Sequence, residues 1–566
     1  MKTHLATKLI LFGIILFAAA FRFYNLNWDQ GFHLHPDERA IIMTTVKLQF
    51  PASFAEFLSP DSPWNPHFFA YGSFPFYLLK IIGENLSAVD LGFAQYSLIN
   101  IAGRYISAFT DLITIILLFR IGRKLINNFT GILAAFFYAA SVLPIQLSHF
   151  YAVDTMLTCF IIATLYQLIL FYEKPSIRRA IIVGGFFGLA LATKISATVL
   201  LASIGVTLCA DFILIFLRHP HKPSHWLPHF PKFVLDLVAF GLIISIVAII
   251  IFGIFEPYGI IDIRSFIDQT LKQSEMTRDA FTFPYTLQYV GKIPYLYEFK
   301  NIFFFGLGPL LTIFGISGII SLLILIHRKK KEGKWAQETI LLTFFFAYTF
   351  VVGNFAIGFM RYMLPVYPLL ALFGAIFIER LFTHFHINFR IKTLLTIYIA
   401  GLILIWPLSF THIYTQKNTR VLASEWIHQF IPPGKTIAIE HWDDALPLLL
   451  PKSYNKNFII NELPVFDPDT NKKWEKMNSR LTNADYLVLS SNRGWGSIIS
   501  APERYPIMSK FYKDLFSEKL KYKKIKEFTS YPSLNYLGIP LTIPDDLAEE
   551  AFTVYDHPRV IIFKKN

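Results

Sequence analysis

The sequence predicts an α-helical polytopic membrane protein of about eleven transmembrane helices, followed by a C-terminal extracytoplasmic α/β domain. Three observations predict it. The 566 residues are 54% hydrophobic and only 16% charged, with a mean hydropathy of +0.46, where a soluble chain carries about 25% charged residues. The missing polarity is gathered into apolar stretches of roughly 17–25 residues, the length that crosses a bilayer as a helix. From residue 412 onward that pattern stops, and short strand-like and amphipathic segments replace it.

The spans fall near 5–24, 97–119, 129–147, 153–172, 180–195, 197–217, 233–255, 302–326, 337–353, 362–379 and 393–411. The fifth is short. The first run, "LATKLILFGIILFAAAFRFY", has no convincing small-residue cleavage site and is expected to stay as a helix. Positive residues test the scheme. Arg120, Arg123 and Lys124; Lys174, Arg178 and Arg179; Arg218, Lys222 and Lys232; Arg328, Lys329, Lys330, Lys331 and Lys334; and Arg380, Arg390 and Lys392 occupy alternate loops. By the positive-inside rule those loops, and the N-terminus with Lys2 and Lys8, are cytoplasmic. The formal charge of +13 is then a topology signal and not a nucleic-acid footprint. Cys159 and Cys209 both sit in apolar stretches, which offers neither a disulfide framework nor a zinc site.

This divides the chain into a transmembrane domain, 1–411, and a soluble extracytoplasmic domain, 412–566. Two large loops, 25–96 and 256–301, lie outside. The first holds "YGSFPFYLLKII", too short to span and expected along the membrane surface or re-entering it. The second is rich in aromatic residues that suit headgroup depth. In the C-terminal domain "RVLASEWIHQFIPPGKTIAIEHWDD" reads as a helix, a turn and a strand, and "ADYLVLSS" as another strand. Residues 503–527 have helical spacing, and "AFTVYDHPRVIIFKK" reads as two strands. Asp443 and Asp444 follow a strand, where a ligand could bind, but the commoner roles of such a pair are to cap a helix or lie solvated.

Ionisable residues at membrane depth are costly and point to function. Arg104 lies about two turns into the second span, with Asp111 on a similar face about two turns on. Asp154 begins the fourth span, Lys194 ends the fifth and Arg361 begins the tenth. Singly each has a plain role: Arg104 pairing Asp111, Asp154 favoured by the helix dipole, Lys194 and Arg361 snorkelling to lipid phosphates. Together with the adjacent Asp37 and Glu38 they converge on the outer leaflet. Cations at that depth suit a lipid phosphate and the charge that develops when it leaves. A carboxylate across the scissile bond suits proton removal from an incoming hydroxyl. Displacement at a sugar carbon with one such base inverts its configuration, by the logic of inverting glycosidases.

The stretches "HPDERA", "NPHFFAYGSFPFYLLK", "GRYISAFTDL", "SHFYAVDTMLT", "GLALATKIS" and "RYMLPVYPLLAL" occur in that order through residues 5–410. In this the chain resembles the polyprenyl-phosphate-dependent membrane glycosyltransferases of the C-type fold, the group that holds protein O-mannosyltransferases and lipid A aminoarabinose transferases (glycosyltransferase family 39-like). The resemblance implies a C-type glycosyltransferase fold and Asp37 as general base, with Glu38 orienting the acceptor or sharing a metal. It implies Arg104, Lys194 and Arg361 at the donor phosphate and Asp154 at the catalytic mouth. Lys80 would contact Asp154 or the phosphate. A divalent metal ion at Asp37 and His35 stays open. The β-trefoil insert of secretory-pathway mannosyltransferases has no counterpart here. The implied partners are a polyprenyl-phosphate-linked sugar donor, a hydroxyl acceptor (protein, lipid or glycan) and membrane lipid, and no nucleic acid. The implied place is the outer face of the bacterial cytoplasmic (inner) membrane. The rival readings are a lipid-linked sugar transporter or flippase, against which stands the gathering of charges at one face, and a non-catalytic membrane scaffold.

Overall fold

A computed structural model describes residues 2–218, 222–329, 336–451 and 456–566. Of the positive residues used for topology, Lys330, Lys331 and Lys334 lie outside the described residues.

All eleven apolar stretches are helical. Among the described residues eight helices are long and apolar enough to cross a membrane, or nine if Asn128–Ala139 and Val142–Ser148, bent by 60° at their junction, form one span. The expected pair 180–195 and 197–217 takes the form of Ile177–Leu191 and Leu200–Arg218, joined through the 3-10 turn Ile195–Val199. The first of the pair has only 15 residues.

The Tyr367–His384 helix is the buried centre of the bundle. It packs against Pro309–Lys329 at very short range: a Cβ added at Gly318 would lie 2.0 Å from the Phe373 carbonyl oxygen. Only glycine permits that approach.

The first large loop, 25–96, is itself structured. Pro36–Thr45 forms a helix that Pro36 opens and His35 caps, its ring Nδ1 accepting the Glu38 N–H at 3.2 Å. Phe74–Leu86, the stretch "too short to span", is a helix of 13 residues. In the second loop, 256–301, the longest helix is Ile263–Arg278.

Beyond the Phe389–Thr415 helix lies a five-stranded sheet. Its strands are β1 (Thr436–Glu440), β2 (Ile459–Leu463), β3 (Tyr486–Leu489), β4 (Tyr522–Phe528) and β5 (Val560–Lys565), in the order β2-β1-β3-β5-β4. β1 runs parallel to β2 and β3, while β5 is antiparallel to β3 and β4. Apolar clusters cover it, one around Leu487, Met508 and Tyr512 and another around Ala423, Ile427 and Val488. Two expectations change here. The stretch 503–527 is not one helix but Pro506–Phe516 followed by β4. "AFTVY" is not a strand: Glu550–Thr553 is a helical turn, and Phe552, Val554 and Tyr555 bury themselves in the core of the membrane helices. That insertion outweighs their β propensity. Gln146 donates to the Phe552 carbonyl at 2.7 Å and Tyr414 to Asp556 at 2.8 Å, so the sheet is keyed onto the helical bundle.

Candidate active site

The site begins with the Asp37 carboxylate, in the first turn of Pro36–Thr45. Arg361, in the 3-10 turn Met360–Val366, donates to Asp37 Oδ2 at 2.5 Å, and the Tyr71 hydroxyl donates to Oδ1 at 2.8 Å. Burial pushes the Asp37 carboxyl up, but the Arg361 guanidinium and the Tyr71 hydroxyl outweigh it and hold the group well below the ordinary carboxylate range. Asp37 is therefore ionised.

Lys194 stands beside this pair. Its ammonium donates to Asp154 Oδ1 at 2.8 Å and lies 4.3 Å from the centre of the Tyr362 ring. The segment bearing Tyr71 is pinned against the residues before Lys194, since the Gly72 N–H donates to the Thr193 carbonyl at 3.0 Å. A Cβ at Gly72 would strike the Ala192 carbonyl oxygen at 1.9 Å, so glycine is required there. Among the described residues, the buried polar atoms without a partner include Arg361 Nε and Asp154 Oδ2 at this site. Such atoms cost free energy unless something else satisfies them.

Asp37, Lys194 and Arg361 line one cavity of about 790 Å³. Leu191, Val199, Phe252, Phe266, Val351 and Val352 give it an apolar wall, and Trp442, Asp443, Asp444 and Arg493, from the segments around β1 and β3, give it a polar one. A pocket with an apolar wall and a few placed charges is the usual form of a site for an amphiphile.

Of the residues expected here, Glu38, Arg104, Lys80, His35 and Asp154 do not line the cavity, although Asp154 reaches it through Lys194. Arg104 does not reach the cavity: it is fully buried and spends its guanidinium on Asp29 and Glu38, at 2.7 and 2.6 Å. Glu38 faces inward with it and also accepts the Tyr151 N–H at 2.9 Å. The two neighbours in "DE" therefore point apart, as adjacent residues on a helix do. Nor does Arg104 pair with Asp111, which binds Arg22 at 2.5 Å and the Tyr138 hydroxyl at 2.5 Å. Lys80 contacts neither Asp154 nor the cavity; it pairs with Glu84 at 2.6 Å within its own helix. An i,i+4 pair of this kind contributes about 0.3–0.5 kcal/mol. Lys80→Met is thus expected to leave turnover and donor affinity within about twofold, measured as kcat and KM beside wild type.

His35 is not placed as a metal ligand. Its Nδ1 caps the helix, its ring packs on Phe150 and Tyr555, and burial pulls its imidazole down to about 3, which keeps it neutral. Both Asp37 oxygens are taken by Arg361 and Tyr71. Among the described residues no group of three or more His, Cys, Asp or Glu side chains is close enough to hold a metal ion. The donor set does not fit one.

Several site residues escaped the sequence reading. Tyr71 and Tyr362 lay inside quoted motifs but read as generic aromatic residues. Glu256, which accepts from the Ser73 hydroxyl at 2.8 Å and is pushed up to about 7 by burial, follows an apolar helix as a single charge. Asp443 and Asp444 cap no helix and are held by arginines at the cavity wall. Arg420 binds Asp443 at 2.8 Å, and Arg39 binds Asp444 at 3.0 Å. Arg493 had no local signal at all.

A helical membrane bundle with this order of elements, and a sheet domain closing one side of a charged cavity, defines a polytopic protein of the C-type glycosyltransferase fold. Residues 98–251 match the family model described as dolichyl-phosphate-mannose-protein mannosyltransferase. The oligosaccharyltransferase of Archaeoglobus fulgidus in its apo form is similar with a TM-score of 0.50 and 12% identity, over 99% of this chain and 88% of that one. The same enzyme in complex with Zn and sulfate gives 0.50 and 14%, over 98% and 88%. ArnT of Cupriavidus metallidurans bound to undecaprenyl phosphate gives 0.43 and 12%, over 97% of each chain. No curated protein sequence matches the chain.

Proposed function

We propose that the protein is an integral-membrane glycosyltransferase that moves a sugar from a polyprenyl-phosphate carrier to a hydroxyl acceptor at the outer face of the cytoplasmic membrane, with inversion. The observation that carries this reading is that ionised Asp37 shares one cavity with Lys194 and Arg361, whose neighbouring wall is apolar. The family model's own description, a lipid-phosphate-sugar-dependent transferase, supports it.

In the step, the acceptor oxygen attacks the anomeric carbon, whose bond to the phosphate oxygen breaks. The electron pair leaves with the phosphate, and the acceptor's proton goes to Asp37. Lys194 and Arg361 stabilise the phosphate's growing charge. The Arg361 pairing that keeps Asp37 ionised also makes it a weak base. An entering phosphate competes for that guanidinium, whose Nε has no partner of its own, and so raises the basicity of Asp37 as the donor binds. Donor before acceptor is the order this coupling favours.

The test is to incubate purified protein with a panel of radiolabelled polyprenyl-phosphate sugars and membrane extract, and to identify what acquires label. Transfer from a lipid-linked donor with an inverted anomeric centre is the expected result. Transfer from nucleotide sugars alone overturns the donor assignment. Losing a hydrogen bond to a charged group costs about 1.5–3 kcal/mol. Lys194→Met should therefore weaken donor binding by about 10- to 100-fold, read as a rise in the donor's KM, while the acceptor's KM holds.

A further inference from the structure

We propose that the acceptor is a saccharide, seated against a subsite that the C-terminal domain contributes around Trp442, Asp444 and Arg493, facing Arg39. The inference rests on the transferase reading above and names the acceptor class for that site.

The turn after β1 carries Trp442 at φ 70°, the left-handed region that a bulky side chain rarely occupies. The strain is not repaid by burial, for Trp442 is 50% exposed and lines the cavity. Backbone strain of this kind collects at ligand sites. An open indole presents a flat apolar face, which the axial C–H bonds of a sugar ring cover well, and an N–H edge for a hydroxyl.

Around it the charges are matched. Asp444 binds Arg39 at 3.0 Å, and both keep part of their surface open, 16% and 35%. Arg493 binds Glu550 at 2.7 Å, lies 5.6 Å from the centre of the Tyr555 ring and remains 15% open. Carboxylate and guanidinium already neutralise each other in both pairs, so the subsite offers no net attraction to an anion. A hydroxyl gives one hydrogen bond and accepts others, so it can bridge such a pair, donating to the carboxylate and accepting from the guanidinium. Repeated hydroxyls beside a flat C–H face describe a sugar. A peptide in extended form would instead seek an open strand edge, and neither edge strand of the sheet, β2 or β4, lines the cavity.

Placement separates this subsite from the donor's. Arg39 is two residues beyond Asp37 on a helix, where successive side chains turn by about 100°. One side chain faces the phosphate cations and the other faces the C-terminal domain. A base between donor and acceptor requires that division.

The test is saturation-transfer NMR on the full-length, detergent-solubilised protein. Its probes are neutral trisaccharides of mannose, glucose and galactose, with a Ser/Thr-rich peptide for comparison. Saturation should reach the ring C–H protons of at least one saccharide. Trp442→Ala should remove that signal, Trp442→Phe should keep part of it, and the isosteric Asp444→Asn should weaken it, each variant melting near wild type. The proposal is overturned if no trisaccharide takes up saturation, if the signal survives Trp442→Ala, or if the peptide alone binds. Failure of the transferase reading shows separately, as no label leaving any lipid-linked donor, because this binding measurement needs no turnover.

Discussion

Asp37→Asn lowers kcat by about 10²- to 10⁴-fold, the range that a positioned general base supplies, while donor binding persists. The substitution keeps the shape of the side chain and its bond from Tyr71, but removes the charge that receives the proton. It also frees the Arg361 guanidinium, which Asp37 binds at 2.5 Å, so affinity for the donor should hold or tighten. The split between lost turnover and kept binding is what distinguishes a base from a structural carboxylate. A transporter or scaffold would tolerate the change. A pH profile adds a second readout with a definite sign. Because the Asp37 pKa is depressed, its carboxylate stays ionised as pH falls, and its acid limb lies below the ordinary carboxylate range. Tyr71→Phe removes a donor that favours the charged form. That limb should therefore move upward in the log kcat/KM profile, with the plateau reduced only modestly. An unmoved limb would mean that another group carries it.

How much of this was legible in the sequence depends on the range of the signal. Each apolar stretch announces itself locally by its length, and all became helices. The charged residues near their outer ends are equally visible in the sequence, and of these Asp37, Lys194 and Arg361 line one cavity. Their direction was not visible. Asp37 and Glu38 are adjacent, yet one lines the cavity and the other is sealed against Arg104. That outcome is set by helix phase relative to a bundle whose packing the sequence does not display. The partners of Arg104 are hidden for a related reason: besides Glu38 its main partner is Asp29, in a loop with no periodicity to read. The C-terminal contribution was hidden by distance along the chain. Arg39 meets Asp444 across 405 positions, and nothing local at either residue marks the pairing. The "AFTVY" stretch shows the limit of propensity, since its strand-forming residues are used as an anchor in the membrane core.

Arg104 carries the second large effect, and it is an effect on folding. Its guanidinium makes five hydrogen bonds: two to Asp29, two to Glu38 and one to the Leu26 carbonyl. It also lies 5.0 Å from the centre of the Trp28 ring. All three charged side chains are fully buried. Arg104→Met leaves Asp29 and Glu38 facing each other without a cation, and breaking a buried ion network in this way costs about 3–5 kcal/mol. Arg104→Lys should recover only part of that, because three donors on a flexible stem cannot reproduce a planar fork. Glu38→Gln should be far milder. Burial already pushes the Glu38 carboxyl up despite Arg104, so a neutral side chain there surrenders less, and Asp29 still pairs the arginine. The expected ranking in thermal aggregation of the solubilised protein is wild type, Glu38→Gln, Arg104→Lys, Arg104→Met, from most to least stable. Whatever Arg104→Lys protein remains folded should bind donor with wild-type affinity, since Arg104 never meets the cavity. A donor KM that rises in that folded fraction, with stability unchanged, would return Arg104 to the phosphate site.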